Sequence, residues 1–281
     1  MTWLAEIGDA RTRGVRPRAR VVAVPHAGGW PSAFRPWRPE LPADVELLVA
    51  QLPGRGARGG EPVVDRVAPL VAGLAGAIGE LEPLPYAVVG HSFGSVIGYE
   101  LTKEMEARGF PPELLVVSGR QAPCLPSEPP FLHQGSDDEL LAHLGRIGGI
   151  PAELAERADF VAAALRTIRA DLAALETYRR PLAGTRVPMI ALGAPDDPIV
   201  MHERMNLWSL ETTGGFTFGS LSGGHFFLYQ QENARTVARD VLDALESGCR
   251  RNDLVSDIWD IPLTSSRRPF AVAASSERDL L

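Results

Sequence analysis

Residues 90 to 94 read Gly-His-Ser-Phe-Gly, directly after the apolar run Tyr86 to Val89 and directly before a helix-like stretch from Ser95. A G-x-S-x-G pattern between a strand and a helix is a nucleophile elbow, with Ser92 at the tip of a sharp turn. The turn forces the serine into a strained backbone conformation, and a Cβ at Gly90 or Gly94 would collide with the neighbouring element. An alcohol is a weak nucleophile at neutral pH, so Ser92 needs a base within hydrogen-bond reach and an acid that fixes the tautomer of that base. Histidine is the suitable unperturbed base. The chemistry in prospect is acyl transfer.

Six histidines compete for the role of base. His225 is the best placed, because it comes late in the chain, after a strand-like run, in a Gly223-Gly224 turn and after a pair of carboxylates. That gives the chain order Ser, Asp, His expected after such an elbow. His91 sits inside the elbow and should point away from Ser92, while His26 lies on the facing loop in a structural or substrate-contacting role. His133, His143 and His202 have no companion motif and read as surface or lid residues. Asp196 and Asp197 are not separated by spacing: either follows the fifth strand-like run, and the other would cap the next turn with Pro198. A tetrahedral intermediate also needs hydrogen-bond donors for its oxyanion. Phe93 N–H, after the nucleophile, supplies one, and Ala27 N–H in His26-Ala27-Gly28-Gly29 supplies the other, with His26 and Gly28 beside the substrate.

Six apolar runs have strand character: Val21 to Val24, Val45 to Leu52, Tyr86 to Val89, Leu114 to Val117, Val187 to Leu192 and Phe216 to Leu221. Near-continuous apolar runs suit strands covered on both faces. Helical patterns lie between several of them, at Arg66 to Leu81 and at Ser95 to Arg108. This alternation implies an α/β fold, a mostly parallel sheet with flanking helices. The chemically interesting residues all follow the strands, so separate motifs should converge on the carboxyl edge of the sheet. Residues 125–181 break the rhythm with three helical segments, Asp137 to Ile147, Ala152 to Ala158 and Asp159 to Arg180. In the last, Leu165, Ile168, Leu172 and Leu175 describe one apolar face, which fits an ordinary core helix or the wall of an acyl pocket. The insertion between two strands on the catalytic edge favours a lid.

The remaining expectations come from composition. At 281 residues the chain fits one domain over 21–248, with a lead-in at 1–20 and a flexible tail at 249–281 after a helix from Asn233 to Glu246 that Gly248 would cap. A net charge of −7 argues against nucleic acid or anionic membrane as the main partner. Two cysteines, Cys124 and Cys249, make neither a disulfide framework nor a metal site, so a reduced, cytoplasmic setting without metal is expected. Met1 to Arg20 lacks the apolar core of a signal peptide.

Taken together, the motifs resemble those of a type II thioesterase, the free-standing α/β-hydrolase that accompanies polyketide synthases and nonribosomal peptide synthetases. The resemblance runs from about Val22 to Leu228. It is carried by Pro25 to Gly29, Gln51 to Arg55, Gly90 to Gly94 with Tyr99 to Leu101, and Val117 to Arg120. It continues through Gly148 to Pro151, Arg169 to Asp171, Glu176 to Arg179, Asp197-Pro198, Trp208, Thr212 to Gly214 and Gly223 to Leu228. In that family the acid directly precedes proline, so the resemblance favours Asp197. Two departures are Gly56, where the family has an acidic residue after the arginine, and the long tail. The resemblance implies a monomeric enzyme without a cofactor of its own. Its substrate would be an acyl group on the phosphopantetheine arm of an acyl or peptidyl carrier protein, and its role editing. The rival readings are a product-offloading thioesterase, a small-ester hydrolase, and a carrier-binding module with an idle triad.

Overall fold

The apolar runs form the strands of one sheet: β2 (Ala19–Val24), β3 (Val45–Ala50), β4 (Tyr86–His91), β5 (Leu114–Ser118), β6 (Met189–Gly193) and β7 (Phe216–Ser220). A short β1 (Leu4–Glu6) precedes them, and the order across the sheet is β1-β3-β2-β4-β5-β6-β7. The computed structural model describes residues 2–8, 14–149, 158–180 and 183–256. Only β1 runs antiparallel, pairing Leu4 with Ala50; the other neighbours are parallel. Every residue of β2, β3, β4 and β5 is buried, which is why these strands read as unbroken apolar runs. The edge strand β7 is half-exposed instead, having a partner on one side only.

Side-chain alternation along the strands feeds two cores. Val22, Val24 and Val88 point to the face covered by α1 (Val67–Gly79), α2 (Phe93–Ala107) and the 3₁₀ run His202–Glu211, which buries Trp208. Val21, Ala23, Ala87 and Val89 point to the other face, covered by the 3₁₀ run Pro31–Glu40 and by α5 (Gln231–Ser256). There Trp37 is fully buried, and its indole N–H donates to the Leu228 carbonyl at 3.1 Å. Each fully buried valine or leucine contributes roughly 1.5–3 kcal/mol, so the two cores fix the loops that leave the strand ends.

Between β5 and β6 lie α3 (Asp137–Ile147) and α4 (Ala158–Thr177). Ser136 opens α3 with a capping box, its hydroxyl accepting from Glu139 N–H while the Glu139 carboxylate accepts from Ser136 N–H. Leu140 and Leu144 of α3 pack against Leu165 and Ile168 of α4 in a small core of their own.

Several expectations need correction. The lead-in contains β1, held by backbone pairing to β3 and too short to show a hydrophobic period. Gly248 does not cap a helix: α5 continues through it to Ser256, and a Cβ there would lie 2.5 Å from Glu113 Cδ, so this glycine marks a close approach. The flexible tail expected at 249–281 therefore begins as helix, and residues 257–281 lie outside the described residues. The last helix of the insertion ends at Thr177, short of Arg180. The helix expected at Ala152 to Ala158 falls on residues outside those described, apart from Ala158, which opens α4.

Candidate active site

At the end of β4 the chain turns into α2 through Ser92, which has φ 55° and ψ −118° and is the one non-glycine residue with positive φ among those described. Such a conformation costs roughly 1–3 kcal/mol and persists only where its surroundings over-determine it. Here Ser92 N–H donates to Ser118 C=O at 2.7 Å, and the Ser95 hydroxyl donates to the same carbonyl at 2.8 Å while accepting from Ser118 N–H at 2.9 Å. The elbow is thereby tied to β5. Both flanking glycines are required by close contact: a Cβ on Gly90 would stand 2.2 Å from Gly94 O, and one on Gly94 2.0 Å from Val24 O. Both obstacles are backbone, which has no rotamer to yield. Gly94→Ala should therefore destabilise the fold by at least about 4 kcal/mol, in the tail of single-substitution effects. Urea unfolding measures this, and a loss under 1 kcal/mol would contradict the packing described.

Ser92, His225 and Asp197 come together although they leave three different strands. The Ser92 hydroxyl lies 3.1 Å from His225 Nε2, and His225 Nδ1 lies 2.8 Å from Asp197 Oδ2. The His225 and Asp197 side chains are only 2% and 1% exposed, so water does not compete for that second contact. Asp197 Oδ1 also accepts from Ile199 N–H at 2.9 Å and from Val200 N–H at 3.2 Å. Asp197 thus both faces the imidazole and closes the turn at Pro198. The expected division of these tasks between two aspartates does not hold, and Asp196 is exposed.

The loop after β2 faces Ser92. Gly29 N–H donates to His26 C=O at 2.8 Å, closing a turn with Gly28 at φ 73°, the position that a type II turn reserves for glycine. His26 N–H donates to the Tyr229 hydroxyl at 3.3 Å, and Gly28 N–H donates to Asp171 Oδ2 at 2.7 Å. Among the described residues, Ala27 N–H has no acceptor. Phe93 is the first residue of α2, so its N–H has no helix carbonyl to meet. Gly28, expected beside the substrate, lines the cavity, and its N–H is committed to Asp171. His26 Nδ1 lies 2.9 Å from the Tyr229 hydroxyl. Burial and the neighbouring His225 push His26 down to about 3, and burial raises the Tyr229 phenol well above its usual range. His26 is therefore neutral. His91 turns its Nδ1 to the Ser118 hydroxyl at 2.9 Å, away from Ser92 as expected, and burial holds its pKa well below the usual value.

Ser92 opens into a cavity of about 620 Å³, one wall of which is apolar: Leu144 and Ile147 from α3, with Ala164, Ile168, Leu172 and Leu175 from α4. Of the apolar face read from the sequence, Ile168, Leu172 and Leu175 line this cavity, while Leu165 packs in the small core with α3. Arg120 lines it too, donating to the Ser127 hydroxyl at 2.7 Å, and burial pushes its pKa down to about 10. His143 on α3 reaches the same cavity. His133 pairs with Glu176 within the insertion, and His202 packs on Phe218 beneath the β6 end. Arg55 and Asp171, which carry motifs of the resemblance but have no role evident from sequence, form a buried ion pair at 2.7 Å. Tyr229 was missed altogether, its signal lying only in the Phe-Phe-Leu-Tyr run after His225. Among the described residues, no group of three or more His, Cys, Asp or Glu is placed to hold a metal ion, and no helix is long and apolar enough to cross a membrane.

Residues 19–245 match a family model described as the thioesterase domain. Thioesterase PikA5 of Streptomyces venezuelae is 35% identical over 249 residues, covering 86% of this chain and 85% of PikA5. AMB antimetabolite synthetase AmbE of Pseudomonas aeruginosa is 34% identical over 225 residues; the match covers 79% of this chain but only 10% of that much longer protein. In fold, the type II thioesterase BorB from the borrelidin biosynthetic cluster superposes with a TM-score of 0.76 at 31% identity, covering 86% of this chain and 97% of BorB. With the sheet, the elbow and the cavity in agreement, the chain belongs to the thioesterase family, as a type II thioesterase.

Proposed function

We propose that this enzyme removes aberrant or stalled acyl groups from the phosphopantetheine arms of acyl or peptidyl carrier proteins, using Ser92, His225 and Asp197 through an acyl-enzyme. The observation that carries the reading is the hydrogen-bonded line Asp197–His225–Ser92 at the base of a largely apolar cavity walled by α3 and α4. His225 Nε2 accepts the Ser92 proton as Oγ attacks the thioester carbonyl, while Asp197 holds the imidazolium that forms. Ala27 N–H and Phe93 N–H receive the developing oxyanion. The carbon–sulfur bond breaks and the thiol leaves with the proton from His225. Water, deprotonated by the same histidine, then cleaves the acyl-Ser92 ester and releases a carboxylic acid.

Relatives named for gramicidin S biosynthesis and for the yersiniabactin NRPS/PKS pathway support a carrier-bound substrate, and the apolar wall suits an acyl chain. In this reading the protein works as a cytoplasmic monomer, with no metal or cofactor of its own. It has no nucleic-acid or membrane partner. An intact line of serine, histidine and aspartate speaks against a binding module with an idle triad, because binding alone needs none of these groups.

The test is intact-mass analysis of carrier proteins loaded with a series of acyl chains, run beside matched oxygen esters. Deacylation of the carriers is the expected result. Fast turnover of the oxygen esters with the carriers left loaded would replace this reading with a small-ester hydrolase, and release only of a full-length chain would replace it with product offloading.

A further inference from the structure

We propose that Asp171, on α4, is a positioning residue for the oxyanion turn, holding Ala27 N–H in place through Gly28. The proposal rests on the assignment of Ala27 as an oxyanion donor and deepens it. Three elements meet at this carboxylate: the turn after β2, the loop after β3, and the helix that walls the acyl cavity. Asp171 Oδ2 accepts from Gly28 N–H at 2.7 Å and from Arg55 at 2.7 Å, and Oδ1 accepts from the other guanidinium nitrogen at 2.8 Å. Asp171 is 0% exposed and Arg55 4%, so neither charge can be satisfied by solvent.

The turn needs such a brace. A glycine at φ 73° in a four-residue turn flips its preceding peptide readily, since no Cβ opposes the change. The flip would move the Ala27–Gly28 peptide and loosen the residue whose N–H is the loop's free donor. A carboxylate accepting Gly28 N–H selects one orientation, and the two-pronged guanidinium contact keeps that carboxylate correctly turned. One turn earlier on α4, Ile168 closes against the same glycine: a Cβ on Gly28 would lie 2.2 Å from Ile168 Cγ1. Ile168 also lines the cavity, so the helix that meets the acyl chain and the turn that meets the oxyanion move as one body.

An oxyanion donor acts in the transition state, so its misplacement lowers kcat and leaves KM nearly unchanged. The test uses the full chain and an acyl-pantetheine thioester, with active sites counted by a fluorophosphonate that labels Ser92. Asp171→Ala should lose about 10²-fold in kcat per titrated site, with KM within about threefold. Asp171→Asn, which keeps an oxygen for Gly28 N–H, should regain all but about tenfold. Should Asp171→Ala fail to fold because Arg55 is left buried and unpaired, the double variant Arg55→Met with Asp171→Leu removes both charges together. It should show the same kcat loss. Wild-type kcat per titrated site in a folded variant overturns the proposal, as does a loss confined to KM or an Asn variant as slow as the Ala variant. A wild-type protein inert toward thioesters would refute the assignment of the reaction instead, which keeps the two failures distinct.

Discussion

Replacing Ser92 with alanine should lower the deacylation rate by about 10⁶-fold while leaving the fold intact, in line with the loss of a triad serine elsewhere. The structure separates these two effects. Alanine keeps the Cβ and therefore the same strained φ of 55°, and the backbone bond from residue 92 to Ser118 C=O involves no side-chain atom. The hydroxyl itself is within hydrogen-bond distance only of His225 Nε2 among the described residues. What disappears is the atom that forms the acyl-enzyme. A residual acceleration of about 10³-fold over water should survive, because Ala27 N–H, Phe93 N–H and the cavity are untouched. Intact-mass time courses on an acylated carrier, with a thermal melt on the same preparation, check both halves. An alanine variant within tenfold of wild type would dispose of the acyl-enzyme route, and one that fails to fold would show that the hydroxyl stabilises the elbow.

Features set by local chemistry were legible in the chain, and features set by distant partners were not. Gly90 and Gly94 were readable because the contacts that demand them follow from a strand turning directly into a helix, and β2 to β5 because burial on both faces leaves an unbroken apolar run. The inward face of α4 was readable from the intervals between Leu165, Ile168, Leu172 and Leu175, of which the last three line the cavity and Leu165 packs on α3. By contrast, β1 is three residues held by backbone bonds to β3, and backbone bonds leave no mark on side-chain pattern. Gly248 was misread because a glycine near a helix end resembles a cap, whereas its function is to let Glu113 approach. The Arg55–Asp171 pair joins positions 116 apart, and His26 meets Tyr229 across 203, so only the fold reveals either partnership. The choice between Asp196 and Asp197 depended on the direction in which the loop after β6 turns, which spacing does not encode. Family resemblance favours Asp197, and in the structure two backbone bonds hold its carboxylate 2.8 Å from His225 Nδ1.

Those two bonds also make Asp197→Asn an informative substitution, expected to lower kcat by about 10⁴-fold with little change in stability. An asparagine at 197 has one oxygen and one amide nitrogen to place where the carboxylate has two acceptors. Ile199 N–H and Val200 N–H both point at the Oδ1 position, so the oxygen must go there; the reverse orientation would set donor against donor. The NH₂ group is then forced to the Oδ2 position, 2.8 Å from His225 Nδ1, where it donates to the ring. His225 must respond by carrying its own hydrogen on Nε2, which can no longer accept the proton of Ser92 at 3.1 Å. The imidazolium that would form on attack also loses the anion beside it. The loop keeps its shape, because its backbone bonds are preserved, so the loss should fall on kcat with KM changed by less than about threefold. Asp196→Asn is the control, since Asp196 is exposed, and it should retain the wild-type rate. Equal losses in the two variants would mean that net charge near the site, and not the tautomer of His225, sets the rate.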